Sequence, residues 1–136
     1  MPEATRRSSG GCLCGAVRYE VAGGLRDIIA CHCGQCRRQH GSFGLYSEAA
    51  LAEVTIDEAG GLAWYESSAK ARRGFCRRCG SGLFWHRAGA ARMAIAAGSL
   101  DQPTGLKVVQ PIYVGEKAEY DEIAAGLPQL SGSQSG

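Results

Sequence analysis

Residues 76–80 read Cys-Arg-Arg-Cys-Gly, which has the two-residue spacing of a zinc knuckle. In such a knuckle a tight turn lets backbone amides donate to the sulfurs, and the glycine relieves the turn sterically. Cys76 and Cys79 would supply two ligands of a tetrahedral site. The Cys-x-Cys pair formed by Cys12 and Cys14 is the natural complement. We therefore predict a closed, structural zinc site built from this four-cysteine cluster.

A second cluster lies between these pairs, at residues 31–36, and reads Cys-His-Cys-Gly-Gln-Cys. Three thiolates so close in sequence can surround one face of a second zinc ion and leave its fourth position open. We predict that this triplet, Cys31, Cys33 and Cys36, holds a catalytic zinc. The open position would take a water, with a pKa lowered toward ~7, or an incoming thiolate. The prediction is two zinc ions per chain.

Each cluster has an alternative interpretation that the residues leave open. The four-cysteine cluster could consist of buried free thiols or contain a disulfide. The triplet could be a redox-active dithiol, or a site loaded only when a thiol ligand arrives. Metal binding is favoured because all seven cysteines fall into these groups. Thiolates that are close in sequence require few backbone dihedrals to be fixed before an ion can bind.

The charge and hydropathy of the sequence argue against several classes of partner. Lys and Arg number 15 against 13 for Asp and Glu, a formal charge of +2, which is too close to balance to indicate nucleic acid or an anionic membrane. The sequence has no apolar run typical of a secretory signal, and it nowhere reaches the ~18 consecutive apolar residues of a membrane span. We expect a cytoplasmic protein, in which disulfides do not persist.

The sequence predicts a single, mainly β domain with a few short helical turns. Glycines repeatedly interrupt short apolar runs, and few windows keep a helical period. The polar ends, residues 1–9 and 131–136, are predicted to be flexible tails around a zinc-binding domain at residues 10–130. Helical turns are predicted at residues 34–40 and 120–125. Strands are predicted at residues 16–21, 28–31, 42–46, 53–57, 62–66, 72–76, 82–86, 92–97 and 106–114, the last of them at a sheet edge because it contains Pro111.

Histidines and aromatic residues have simpler interpretations. His32 lies between two candidate ligands, but neighbours in an extended segment point opposite ways, so we expect it to be exposed rather than a ligand. His40 and His86 are expected to be ordinary surface or partly packed histidines, with an acid or base role left open. Aromatic residues near the knuckle are interpreted as core, namely Trp64, Tyr65, Phe75, Phe84 and Trp85.

Arginines lie close in sequence to two of the thiolate groups. Arg37 and Arg38 follow the triplet directly. Guanidinium groups at these places would offset the negative charge of the sulfurs or bind the carboxylates of a substrate. A nucleic-acid role is not favoured, because no nucleic-acid motif accompanies them. The arginines around the knuckle have the same interpretation; they are Arg72, Arg73, Arg77 and Arg78.

Three stretches, in order along most of the chain, resemble one known family. They are Gly-Gly-Cys-Leu-Cys-Gly-Ala-Val-Arg-Tyr at 10–19, Cys-His-Cys-Gly-Gln-Cys-Arg-Arg at 31–38 and Phe-Cys-Arg-Arg-Cys-Gly-Ser-Gly-Leu-Phe-Trp at 75–85. The sequence resembles the glutathione-dependent formaldehyde-activating enzyme and centromere protein V family. This resemblance implies a β-tent fold, a structural zinc on the Cys-x-Cys and Cys-x-x-Cys pairs, and an active-site zinc on the triplet. One departure is the pair Gln110 and Pro111, where many members carry a histidine.

For the activity, the resemblance implies the condensation of formaldehyde with glutathione to S-(hydroxymethyl)glutathione. We therefore expect a carbon-sulfur lyase-type enzyme in which the triplet zinc binds glutathione or a similar thiol as the thiolate. Arg37 and Arg38 would steer the carboxylates of the tripeptide. Two alternatives stay open. One is a domain that carries a thiol on zinc without turnover, and the other is a structural zinc domain that recruits a protein partner.

Overall fold

The computed structural model describes residues 7–57 and 60–133. The chain divides into two units. The first unit contains the described residues up to Arg26 together with Ser47–Gly105, and the second contains Asp27–Tyr46 and the residues from Leu106 onward. Within the described ranges, no helix has the length and apolar character needed to cross a membrane.

Short strands dominate both units. The helix α1 covers Gly34–His40, and short 3₁₀ helices cover Leu51–Glu53, Ala97–Ser99 and Val114–Glu116. The strands are β1 (Arg7–Gly11), β2 (Arg18–Ala22), β3 (Ile28–Cys31), β4 (Gly44–Ala50), β5 (Val54–Asp57), β6 (Leu62–Glu66), β7 (Ala71–Cys76), β8 (Gly82–Arg87), β9 (Arg92–Ala96) and β10 (Val108–Ile112).

Antiparallel strands build the first unit. β1, β2 and β5 form a three-stranded sheet in that order, and β9, β8, β7 and β6 follow one another in a second sheet. Side chains of β2 alternate between solvent and core, so that Tyr19 and Val21 are buried. Tyr19 packs edge-to-face on Phe84 of β8, with ring centroids 5.1 Å apart. This contact lies in the core of the unit and joins the two sheets.

The second unit is built around β3. This strand pairs in parallel with β10 and antiparallel with the start of β4. Its first three residues, Ile28 to Ala30, are all buried, as expected of a strand with a neighbour on each side. Pro111 lies in β10 at the sheet edge, where its missing N–H costs no ladder bond, so the predicted edge position is confirmed. After α1 the chain turns at Gly41, whose φ of 95° favours glycine.

The mainly β prediction is confirmed, and three predicted elements, at residues 28–31, 34–40 and 62–66, have the predicted bounds. Residues 120–125, however, do not form helical turns, because Asp121 is anchored by a buried side-chain contact instead. The assignment of Tyr65 to the core is also wrong. Tyr65 is 58% exposed, because side chains alternate along β6 and the neighbouring Trp64 faces the core, where its ring stacks on Phe84.

Some residues of the two predicted tails form backbone hydrogen bonds with the rest of the chain. Residues 7–9 are predicted to be part of the flexible N-terminal tail, but in the structure they belong to strand β1, which pairs with β2. Near the other end, the backbone N–H groups of Tyr113 and Val114 donate to the carbonyls of Gly132 and Leu130, at 2.9 and 3.0 Å. Residues 1–6 and 134–136 lie outside the described residues. The domain bounds of 10–130 stay a prediction.

Candidate metal centres

The four-cysteine cluster lies in the first unit, where its sulfurs all come within 4.8 Å of one another. Cys12 Sγ is 3.6 Å from Cys14 Sγ, which in turn is 3.8 Å from Cys76 Sγ. Four sulfurs at ~2.3 Å from a tetrahedral zinc ion are separated from one another by roughly 3.8 Å. The sulfurs therefore fit a zinc ion both in their chemistry and in their spacing.

Local hydrogen bonds shape both halves of this cluster. In the first half, the N–H of Gly15 donates to the carbonyl of Cys12 at 3.2 Å, and the N–H of Val17 donates to Cys12 Sγ at 3.3 Å. In the knuckle, the N–H of Gly80 donates to the carbonyl of Cys76 at 2.7 Å. Gly80 has a φ of 81°, which glycine adopts without the steric cost of a Cβ. The predicted role of this glycine in the turn is confirmed.

Ser81 connects the two halves, and the sequence analysis missed it. Its Oγ accepts a hydrogen bond from the N–H of Leu13 at 2.9 Å and lies 3.1 Å from Cys79 Sγ. Because the contact with Leu13 uses a lone pair of Oγ, the hydroxyl proton can be donated to the sulfur. This bond, together with hydrogen bonds from the backbone N–H groups of Ser81 and Cys14, lowers the pKa of Cys79 to about 5, which favours the thiolate that a metal ion binds. The position two residues after the knuckle is a weak sequence signal for this role.

The triplet lies in the second unit, and its three sulfurs also come within 4.8 Å of one another. Cys31 ends β3, Cys33 is the N-cap of α1, and Cys36 is buried in that helix. The Sγ of Cys33 accepts from the N–H of Cys36 at 3.3 Å, as an N-cap side chain commonly does. The junction of strand and helix thus brings the predicted ligands together, and none of the described residues adds a fourth ligand atom to the group.

Proton sharing among these sulfurs shifts their acidity in opposite directions. Hydrogen bonds from Cys31 and Cys36 lower the pKa of Cys33 to about 2, and donation to Cys33 raises the pKa of Cys31. Such a group suits a soft divalent cation, which would take the place of the shared protons. Three thiolates are one fewer than a closed zinc site uses. The triplet therefore fits a zinc ion that keeps one position open.

Arg37 and Arg38 lie in the last turn of α1, where cations interact favourably with the helix dipole. Arg37 is half-buried and Arg38 is exposed. In the part of the chain that the structure describes, neither forms an ion pair. Their substrate-binding role stays a prediction.

His32 is buried, so the expectation that it would be exposed is wrong. Its side chain is 3% exposed, its Nδ1 lies 2.7 Å from Asp121 Oδ2, and its ring centroid is 4.8 Å from that of Phe43. As the alternation of an extended segment predicts, His32 is turned away from the sulfurs, and no nitrogen of His32 belongs to the triplet group. The opposite face is packed rather than open to solvent. Asp121 is 89 residues away, so no spacing in the sequence signals the pair.

Among the described residues, the other two histidines belong to neither group of candidate metal ligands. His40 is exposed, and its Nε2 lies 2.6 Å from Tyr46 Oη. His86 is buried, and its Nε2 donates to the carbonyl of Ala90 at 2.9 Å. Both match the prediction of ordinary surface or packed side chains.

Comparisons with known proteins agree with this arrangement. The family model described as glutathione-dependent formaldehyde-activating enzyme matches residues 7–116, a range that contains both cysteine groups. Among solved structures, a crystal structure of a Rhodobacter sphaeroides protein is similar, with 28% sequence identity and a TM-score of 0.57. That match covers 69% of this chain and 88% of the other. The chain therefore belongs to the glutathione-dependent formaldehyde-activating enzyme family.

Proposed function

We propose that this protein is a zinc-dependent enzyme that joins glutathione, or a related thiol, to formaldehyde or another small aldehyde, and that it also catalyses the reverse, carbon-sulfur lyase reaction. Family membership supports this choice of substrates. The observation that carries the proposal is the donor set of the triplet. Three sulfurs converge from residues 31–36, and the described residues place no fourth ligand atom among them.

The two cysteine groups would have different tasks. Cys12, Cys14, Cys76 and Cys79 would enclose a structural zinc ion, while Cys31, Cys33 and Cys36 would hold a second zinc ion from one side. When bound, that second ion supplies a place where the sulfur of the substrate is stabilised as a thiolate. Two zinc ions per chain, a β-tent fold and a cytoplasmic location are parts of the same proposal.

The reaction forms one carbon–sulfur bond and involves no change of oxidation state. The thiol loses its proton, its sulfur attacks the aldehyde carbon, and the carbonyl oxygen gains a proton. The hydroxymethyl adduct therefore contains all the atoms of both reactants. Because the uncatalysed condensation already proceeds in water, the protein needs to supply only a larger thiolate fraction and a favourable position of the two reactants.

Arg37 and Arg38 are proposed to bind the carboxylates of the tripeptide. They follow Cys36 directly in α1, and a planar guanidinium can hold a carboxylate with two hydrogen bonds. Arg38→Ala should therefore raise KM for glutathione more than it lowers kcat. Arg78→Ala is a matched control, since it removes an exposed arginine beside Cys79 in the first unit, and it should leave KM unchanged.

Exchange NMR on mixtures of formaldehyde and glutathione tests the proposal. The zinc-loaded protein should exchange free glutathione with its adduct faster than buffer alone. Cys33→Ala should lose this acceleration while it keeps the zinc ion of the four-cysteine cluster. No acceleration by the wild-type protein would contradict the enzymatic proposal. Thiol binding in calorimetry without acceleration would identify a thiol-binding protein instead.

A further inference from the structure

We infer that His32 and Asp121 are a positioning pair for the triplet. They would hold the peptide between Cys31 and Cys33 in the conformation in which the two sulfurs converge. The inference rests on the proposed function, because it concerns the metal affinity of the triplet. In this inference His32 and Asp121 are not metal ligands, and neither side chain touches the reacting atoms.

The backbone geometry links the direction of His32 to the direction of the two sulfurs. The chain leaves β3 at Cys31 and is still extended at Cys33, where φ is −65° and ψ is 160°. In an extended segment, residues i and i+2 share one face, and residue i+1 points to the other. Fixing His32 on its own face therefore fixes the two cysteines on the opposite one.

Three contacts hold His32 in place. Its Nδ1 is 2.7 Å from Asp121 Oδ2, its ring packs on Phe43 with centroids 4.8 Å apart, and its backbone N–H donates to the carbonyl of Ile112 at 3.0 Å. The side chains of His32 and Asp121 are only 3% and 6% exposed. Water therefore cannot easily replace either partner when the other is removed.

Asp121 is presented to His32 by a segment that is itself anchored at both ends of α1. At the start of the helix, Glu116 Oε1 accepts from the N–H of Gly34 at 3.0 Å. At its end, the hydroxyl of Tyr120 donates to the carbonyl of Gly41 at 3.1 Å. Asp121 follows Tyr120 directly, so its carboxylate has a fixed position relative to the strand–helix junction that carries the three sulfurs.

Such support matters more for the triplet than for the four-cysteine cluster, because three ligands hold an ion less securely than four. Hydrogen-bonded groups that orient metal ligands typically contribute 10- to 100-fold in metal affinity. A positioning role predicts a loss confined to the triplet. A role limited to general fold stability would instead leave the metal affinity of the folded protein unchanged.

The test measures zinc affinity of the full chain by competition with a chromophoric chelator, with Cys33→Ala used to identify the triplet ion. Asp121→Ala should weaken the triplet by ~10- to 100-fold and leave the four-cysteine cluster unchanged. Asp121→Asn keeps an oxygen that can accept from Nδ1–H, so it should restore most of the affinity. Asp101→Asn is the control, because it alters an exposed carboxylate paired with Arg18 in the first unit.

His32→Phe provides a second measurement that remains decisive if Asp121→Ala does not fold. It keeps a ring against Phe43 but lacks Nδ1, and it should weaken the triplet as Asp121→Ala does. If the wild-type chain binds two zinc ions, and folded Asp121→Ala or folded His32→Phe binds zinc at the triplet with wild-type affinity, the inference is overturned. The proposed function would not be affected by that result. A wild-type chain that binds a single ion at the four-cysteine cluster would overturn the proposed function together with the inference.

Discussion

Replacing Ser99 by alanine should destabilise the first unit more than replacing Tyr19 by phenylalanine, although both changes remove the same hydrogen bond. Tyr19 Oη lies 2.6 Å from Ser99 Oγ, and Ser99 donates its single hydroxyl proton to the carbonyl of Ala96 at 2.7 Å. Tyr19 must therefore be the donor in the bond between the two hydroxyls. Since Tyr19 is 2% exposed, its O–H has no ready access to water.

The magnitudes follow from the group that each variant leaves behind. Tyr19→Phe removes the donor and leaves Ser99 bonded to Ala96, so we expect the loss of one net hydrogen bond, about 1 kcal/mol. Ser99→Ala leaves a buried phenol O–H without an acceptor, which costs about 1–3 kcal/mol, and it also removes the bond to Ala96. The free energy of unfolding should therefore fall roughly twice as far in Ser99→Ala as in Tyr19→Phe.

Urea denaturation of zinc-saturated protein, followed by tryptophan fluorescence, measures this difference. Both Trp64 and Trp85 lie in the first unit. The double variant should be more stable than Ser99→Ala alone, because it no longer contains the phenol that lacks an acceptor. Equal destabilisation by the two single variants, or a double variant less stable than Ser99→Ala, would refute the assigned direction of the hydrogen bond.

Three further outcomes are expected. Burial raises the pKa of Tyr19 from 10.0 to about 12, so the folded state keeps its proton where the unfolded state loses it. Stability measured in urea should therefore fall as the pH rises through this window, by at most about 3 kcal/mol from this residue, and Tyr19→Phe should lack that contribution. Dialysis against a strong zinc chelator should remove two zinc ions per chain and lower the thermal midpoint; an unchanged midpoint would contradict a structural zinc. A Cβ at Gly74 would lie 3.0 Å from Trp64 Cζ3 and 3.1 Å from Phe84 Cδ2. Gly74→Ala should therefore lower the free energy of unfolding by about 1–3 kcal/mol, whereas Gly98→Ala, which meets no atom within 4 Å, should cost less.

The elements that carry the triplet could be predicted because they depend on local rules. Strand β3 is a continuous apolar run, as expected of a strand buried on both faces. Helix α1 begins at a cysteine that caps it and ends at Gly41, whose positive φ favours glycine. Both the strand–helix junction and the convergence of its sulfurs are therefore encoded within residues 28–41.

Contacts between distant segments could not be predicted in this way. Strand β1 reads Arg-Ser-Ser-Gly-Gly, which has no apolar alternation, and it is a strand because β2 supplies its hydrogen-bonding partner. The contact between Ser81 and Leu13 spans 68 residues, and the pair of His32 and Asp121 spans 89. Nothing local to a serine or an aspartate specifies such a partner. The sequence could therefore indicate the candidate metal ligands but not the residues that support them.

The two cysteine groups also differ in the length of the chain loop that a bound ion would close. In the four-cysteine cluster, Cys14 and Cys76 are 62 residues apart, so an ion there would join distant segments that come together only in the folded state, and its binding energy would stabilise the first unit. The triplet spans only residues 31–36, and an ion there closes no long loop. Under the proposed function, the binding energy of the triplet ion would contribute little to chain closure, and its three sulfurs would leave a position for an external ligand. Loss of the first ion should therefore cost stability, whereas loss of the second should cost activity.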